Sequence, residues 1–165
     1  MINIALFVHA PKCSIESGNG IIRALNSFCK FKVFSHTSLF DDFFDDVDLV
    51  AIPGGVGDSD SFERLFRNNK KVVQNFVNNG GAYLGICMGA YWADRNYFDI
   101  IEDVRATQYI KRPHTDTRRP HPKAIDITWE GINDKMYFYD GCALTGHGKY
   151  ETIATYANEI GRAHV

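Results

Sequence analysis

Gly80 to Ala93, GGAYLGICMGAYWA, restricts the fold more than any other stretch of the chain. Ala82 to Ile86 is an apolar run of strand length, Cys87 follows at once, and Met88 to Ala93 reads as the opening of a helix. Gly85 and Gly89 flank the cysteine and remove the side chains that would clash in so sharp a bend. Such a bend lifts a sulfur above the sheet edge. There the helix N-terminus favours thiolate and offers backbone N–H groups to an oxyanion. The pattern reads as a nucleophile elbow carrying cysteine. A buried cysteine more often packs as a small hydrophobe; here the flanking Gly-x-Cys-x-Gly and the strand-to-helix switch favour the turn. An elbow can also persist as architecture without turnover.

A chain of 165 residues, 45% hydrophobic and 23% charged, is expected to form one domain over residues 1–165. Its formal net charge of −2 gives no global attraction to nucleic acid or to acidic membrane surfaces. No apolar run approaches the ~20 residues of a membrane span, and the N-terminus lacks the basic region and cleavage site of a signal peptide. A cytoplasmic protein is therefore expected. Cys13, Cys29, Cys87 and Cys142 lie far apart with no Cys-x-x-Cys pair, which argues against a zinc site or a disulfide framework and fits a reducing compartment. No cofactor is expected.

Ile2 to Val8 is a near-continuous apolar run, the pattern of a strand buried on both faces of a parallel sheet. It ends at His9. Pro11 to Gly20 reads as loop, with Ser17 or Asn19 as the N-cap of a helix marked by Ile21, Ile22, Leu25 and Phe28. Phe31 to Phe34 is a second strand, the acidic stretch through Asp48 a solvated connector, and Asp48 to Ile52 a third strand. Pro53-Gly54-Gly55 stops that strand, and its glycines can turn N–H groups toward a ligand above the sheet, as half of an oxyanion hole. Asp60-x-x-Glu63 resembles a capping box, and Phe62, Leu65, Phe66, Val72, Val73, Phe76 and Val77 mark one helical face ending at Asn79-Gly80-Gly81. Alternating strands and crossovers predict a parallel sheet covered on both faces, with His9, Gly54, Gly55 and Cys87 gathered on the rim at the strands' carboxyl ends.

Beyond Trp92 the pattern is weaker. Arg105 to Lys123 holds six Lys or Arg, two histidines and one acid, and reads as an irregular, solvated basic loop. Nucleic-acid binding is not favoured there, because Tyr109 is the only interleaved aromatic. Ala124 to Trp129, Lys135 to Tyr139 and Tyr150 to Tyr156 read as an antiparallel extension.

Pro53–Gly55 (PGG), Phe76–Ala93 (FVNNGGAYLGICMGAYWA), Met136–Gly141 (MYFYDG) and Glu151–Asn158 (ETIATYAN) together resemble the class I glutamine amidotransferase-like superfamily, and within it the biotin-protein ligase N-terminal domain family. The resemblance runs from about Ile2 to Asn158. It implies a flavodoxin-like α/β three-layer sandwich with a mostly parallel sheet, Cys87 in the nucleophile position, and amides near Gly55 and Met88 in the oxyanion position. Glutamine-using members continue the elbow as Gly-x-Cys-x-Gly-x-Gln and carry a late His-x-Glu. This chain has Tyr91 where the glutamine falls, no His-x-Glu, and only His164 near the end, without the acid. His9, at a neighbouring strand end, and His147, in a glycine-flanked loop, are the substitute candidates for the base. Asp140 stands where the biotin-ligase-like pattern has asparagine and is a candidate for the same cleft. Ligase chemistry belongs to a separate catalytic domain, so biotin transfer is not expected from this chain.

Two readings are open. In one, the protein is a cysteine-nucleophile hydrolase or amidotransferase-like enzyme acting on a small amide or ester; in the other, a non-catalytic binding or regulatory domain keeps the elbow as a ligand pocket. The elbow supports the first, and the missing His-x-Glu and Tyr91 support the second. In either case the expected partner is a small amide, ester or carboxylate, with a homo-oligomer or a separate partner protein left open.

Overall fold

The computed structural model describes residues 1–40, 42–56 and 58–158. His164 and Asp41 of the acidic stretch lie outside them. The chain divides into two compact units, Met1–Ile100 and the residues from Ile101 onward.

The first unit is built on a four-stranded parallel sheet of β1 (Ile2–Phe7), β2 (Cys29–Phe34), β3 (Leu49–Ile52) and β4 (Ala82–Gly85), in the order β2-β1-β3-β4. The apolar runs read from sequence pair in parallel register, Leu6 with Val33 on one side and with Ala51 on the other. Alternate residues of β1 feed opposite faces. Ala5 and Phe7 enter a cluster with Phe34, Val50, Ile52, Phe62, Phe66, Trp92 and Phe98, whereas Ile4 and Leu6 pack with Ile21, Cys29 and Ala51. The sheet is thus covered on both sides, as expected for an α/β sandwich.

Helix α1 (Ile15–Leu25) starts earlier than the sequence suggests. Its N-cap is Ser14, whose Oγ accepts from the Ser17 amide at 3.1 Å, so neither Ser17 nor Asn19 caps it, and Phe28 lies beyond its end. Gly18 and Gly20 sit inside the helix on faces with open space, which lets a loop-like composition remain helical. The single apolar face from Phe62 to Val77 is divided between α2 (Ser59–Phe66) and α3 (Lys70–Asn78). The cap of α2 is Asp58, accepting from the Ser61 amide at 2.7 Å, rather than Asp60. The β2-to-β3 connector is short 3-10 and turn structure in which Leu39 and Phe44 are buried, while Asp46 pairs with Lys32 at 3.0 Å.

The second unit holds two antiparallel sheets: β5 (Val104–Gln108) with β8 (Cys142–Gly146), and β7 (Ile132–Phe138) with β6 (Lys123–Trp129) and β9 (Ala154–Tyr156). Arg105 to Gln108, which the composition marks as basic loop, belongs to a strand, and β8 has no counterpart among the strands expected from the sequence. The third expected strand is reduced to its last three residues. The core of this unit is aromatic: the Tyr109 and Tyr156 rings stack at 3.7 Å, and Tyr156 donates its hydroxyl to the Cys142 carbonyl at 2.8 Å.

The cap assignment has a thermal signature. Asp58→Ala should cost about 1 kcal/mol, or roughly 2–4 °C in Tm, whereas Asp60→Ala at an exposed, non-capping position should stay within about 0.5 kcal/mol. Equal losses in thermal denaturation would return the cap to Asp60.

Candidate functional site

The site is organised by two turns at the carboxyl edge of the parallel sheet. The first comes directly after β4: Cys87 is the N-cap of α4 (Met88–Trp92) and adopts φ 49°, ψ −101°. A non-glycine residue in that region is strained by about 1–3 kcal/mol and persists only where its surroundings impose it. Two glycines do so here. A Cβ on Gly89 would lie 2.2 Å from the Ile52 carbonyl oxygen, and one on Gly85 would lie 2.6 Å from the Gly89 backbone. Only glycine at both positions lets α4 rest directly on β3 and β4. Met88 and Trp92, one helical turn apart, then drop fully buried into the aromatic core. Tyr83 secures the contact by donating its hydroxyl to the Gly89 carbonyl at 2.7 Å, and desolvation raises its pKa, keeping it a donor.

The second turn is Pro53-Gly54-Gly55 after β3. The loop behind β1 and the first turn of α1 grip it: Ser14 N–H donates to the Gly54 carbonyl, Gly54 N–H to Ser17 Oγ, and Val56 N–H to the Lys12 carbonyl, at 2.8, 2.8 and 2.9 Å. Gly54 meets the cysteine turn directly, since a Cβ built on it would lie 3.5 Å from Cys87 Cβ. Its own N–H is engaged by Ser17. The amides of Gly55 and Met88 donate to no acceptor among the described residues; Gly55 is half-buried and Met88 fully buried. Gly55 is fixed by close approach, because a Cβ there would fall 2.0 Å from the Lys12 carbonyl oxygen.

Ser14 and Ser17 are supports whose sequence pattern marks them only as cap and loop residues. The Ser17–Gly54 contact spans 37 residues, and no local pattern signals it. Asp94, 2% exposed just after α4, also carries no sequence signal; its Oδ1 accepts from the Asn96 amide at 3.0 Å.

The remaining candidates divide between the units. His9 lies just past β1, but its ring packs against His36, just past β2, with centroids 5.3 Å apart. In the order β2-β1-β3-β4 that contact lies on the side of β1 away from Cys87. Burial lowers the His9 pKa, and the nearby charges of His36 and Lys12 lower it further. Tyr91 lies on α4, half-buried. In the second unit, His147 is exposed on the bend after β8, its amide donating to the Asp103 carbonyl at 3.1 Å. Asp140 accepts from the Gln108 side-chain amide at 3.2 Å. Among the described residues no group of three or more His, Cys, Asp or Glu is arranged to hold a metal.

The four thiols differ in environment. Burial pushes Cys13 up to about 11, Cys29 and Cys142 are buried, and Cys87 is half-buried at the strained turn. Iodoacetamide should label Cys87 first at pH 7–9, where a thiol of pKa near 11 is only about one per cent ionised even at pH 9. Peptide mass mapping showing Cys13 labelled before Cys87 in that range would reverse this ordering. Replacing Cys87 by glycine, which adopts the observed dihedrals without strain, should stabilise the fold by about 1 kcal/mol in chemical denaturation. A loss of stability would show that the turn is not strained.

The fold has counterparts among known proteins. No curated protein matches the chain. Among solved structures, the crystal structure of a glutamine amidotransferase superposes with a TM-score of 0.63 at 16% identity, covering 94% of this chain and 80% of that one. A glutamine amidotransferase from Thermotoga maritima gives 0.63 at 9% identity, covering 95% and 68%. At such identities the likeness establishes the class I glutamine amidotransferase-like, flavodoxin-like fold. The family model described as "Biotin-protein ligase, N terminal" matches residues 14–104, from the Ser14 cap through both turns to the start of β5 and over more than half of the sequence, and the chain belongs to that family.

Proposed function

We propose that the protein is a cysteine-nucleophile hydrolase or amidotransferase-like enzyme acting on a small amide or ester. The observation that carries this reading is Cys87 held at φ 49° between β4 and α4 against Gly54, where the following amides, Met88 and Gly55, have no acceptor among the described residues. In the proposed reaction the Cys87 sulfur attacks the substrate carbonyl, forming a C–S bond while the carbonyl π electrons move to oxygen. The Gly55 and Met88 N–H groups hold that oxyanion. The thiol proton passes to a histidine and then to the departing amine or alcohol as the carbon–heteroatom bond breaks. Water then releases the acyl group from sulfur and restores the thiol.

His147 is the proposed proton carrier, because His9 is packed against His36 at the β2 side of the sheet. Tyr91, in the position of the glutamine in glutamine-using relatives, is proposed to line the substrate end, which points away from glutamine as the preferred amide. The same reading makes the protein cytoplasmic: all four cysteines stand outside disulfides, and among the described residues no helix is long and apolar enough to cross a membrane. Its partner is then a small amide, ester or carboxylate, whether the protein acts alone, as a homo-oligomer or with a separate protein.

A second reading, a binding or regulatory domain that keeps the turn as a pocket, is favoured by the same His9–His36 contact. That contact holds the only two histidines of the first unit against each other. Turnover separates the two. On a panel of small amides and esters that includes glutamine, the intact protein should turn over at least one member, Cys87→Ala should reduce the rate to background, and His147→Ala should approach the same loss, since members of one catalytic unit fail together. Turnover that survives Cys87→Ala removes the nucleophile. No turnover, with a panel member still protecting Cys87 from alkylation, establishes the binding domain.

A further inference from the structure

The opposite end of the sheet edge carries a second set of polar groups that the cysteine chemistry does not use. His9 and His36 each stand two residues past the end of their strand, and β1 and β2 run parallel in register, so both reach the same edge. Nδ1 of each ring is buried, and neither has a hydrogen-bond partner among the described residues. Buried polar atoms left in this way point to an ion, a water or a ligand. Burial is the largest cause of the lowered His9 pKa, and the nearby His36 and Lys12 lower it further.

His36 also borders a cavity of about 350 Å³, together with Glu63, Arg64, Arg67, Asn68 and Asn69. Glu63, the one carboxylate among them, is already paired with Arg67 at 3.0 Å. Asp58, the other acid close enough to feel Arg64, caps α2 through the Ser61 amide. The Arg64 guanidinium makes no hydrogen bond or ion pair among the described residues. Asn69, the N-cap of α3, donates its side-chain amide to the His36 carbonyl at 3.1 Å instead of capping the helix, and the first turn of α3 contains no acid. The positive end of α3 therefore adds to the Arg64 guanidinium, while the charge of Arg67 is offset by Glu63.

We propose that this hollow is a binding site for a phosphate group, as the free ion or on a small phosphomonoester, with Arg64 and Arg67 as the charged donors and Asn68 and Asn69 as the neutral ones. Planar guanidinium forks match phosphate oxygens in pairs, and amides complete a tetrahedral anion. A volume of about 350 Å³ stands at the small end of ligand pockets, enough for a phosphate with a small organic body. The site is independent of the cysteine reading. Between the ends of β2 and β4 lie three strand spacings, roughly 14 Å.

Calorimetric titration of the full chain at low ionic strength, with inorganic phosphate and with glycerol phosphate, tests this. Saturable binding of at least one is expected, weakened about tenfold or more in Arg64→Gln and in His36→Gln, and weakened by added salt. Arg64 is exposed on α2, so R64Q should keep the wild-type circular dichroism and Tm. Tighter binding of glycerol phosphate identifies a phosphomonoester site; equal binding identifies a site for the free ion. Protein alkylated at Cys87 should bind equally well. No saturable heat with either probe up to about 10 mM, undiminished binding by R64Q, or binding lost on Cys87 alkylation would each overturn the proposal.

Discussion

The first unit depends on one contact, the backbone of Gly89 against the carbonyl of Ile52. With a Cβ at position 89 only 2.2 Å from that oxygen, any other residue would push α4 off β3. Gly85 serves the same purpose from β4. Because the helix cannot lift away, the two residues between strand and helix must turn within minimal length, and Cys87 takes the positive φ. The packing of α4 offsets the strain: Met88 and Trp92 are buried completely, and Trp92 meets Phe7, Phe62, Phe66 and Phe98 at ring distances of 5.6–6.5 Å. A short helix of five residues has little stability of its own. Its position comes from this packing, and the position of the sulfur comes with it.

The Pro53-Gly54-Gly55 turn reaches its conformation by a different route. No large side chain anchors it; two hydrogen bonds to the loop between β1 and α1 and one to Ser17 in the first turn of α1 hold it. The same loop caps α1 through Ser14, so the helix start and the orientation of the Gly55 amide are set by one segment. Cys13 bridges Gly55 across this contact, which accounts for the burial that raises its thiol pKa. A cysteine close in space to the candidate site thereby has its thiolate disfavoured.

Features with local causes are legible in the sequence, and features with tertiary causes are not. The buried strands β1, β3 and β4 are continuous apolar runs, and Gly-x-Cys-x-Gly encodes its own steric requirement, so the sheet and the cysteine turn can be read directly. The start of α1 cannot, because Ile15 is 76% exposed and the glycines inside the helix resemble a loop. The break between α2 and α3 has no glycine or proline to announce it. In the second unit, β5 and β8 pair Arg105 with Thr145 and Gln108 with Cys142, residues without the alternation that marks a half-buried strand. The anchoring of Gly54 by Ser17 and the meeting of His9 with His36 are tertiary contacts, visible only once the strands are aligned.

Parallel strands place all their carboxyl ends on one edge, so a single sheet exposes several loops at which ligands can be held. Here the edge differs from one end to the other. At β3 and β4 it carries two backbone amides without an acceptor among the described residues, Gly55 in a hydrogen-bonded turn and Met88 after a turn imposed by close packing. At β2 the donors are side chains, imidazole, guanidinium and carboxamide, with two imidazole nitrogens buried and unpartnered among the described residues. Backbone donors are rigid and suited to charge that develops during a reaction, because they cannot relax toward the ground state. Flexible cationic side chains suit an ion that arrives already charged. The groups at the two ends therefore differ in kind, backbone amides beyond β3 and β4 and side chains beyond β2, with β1 between them.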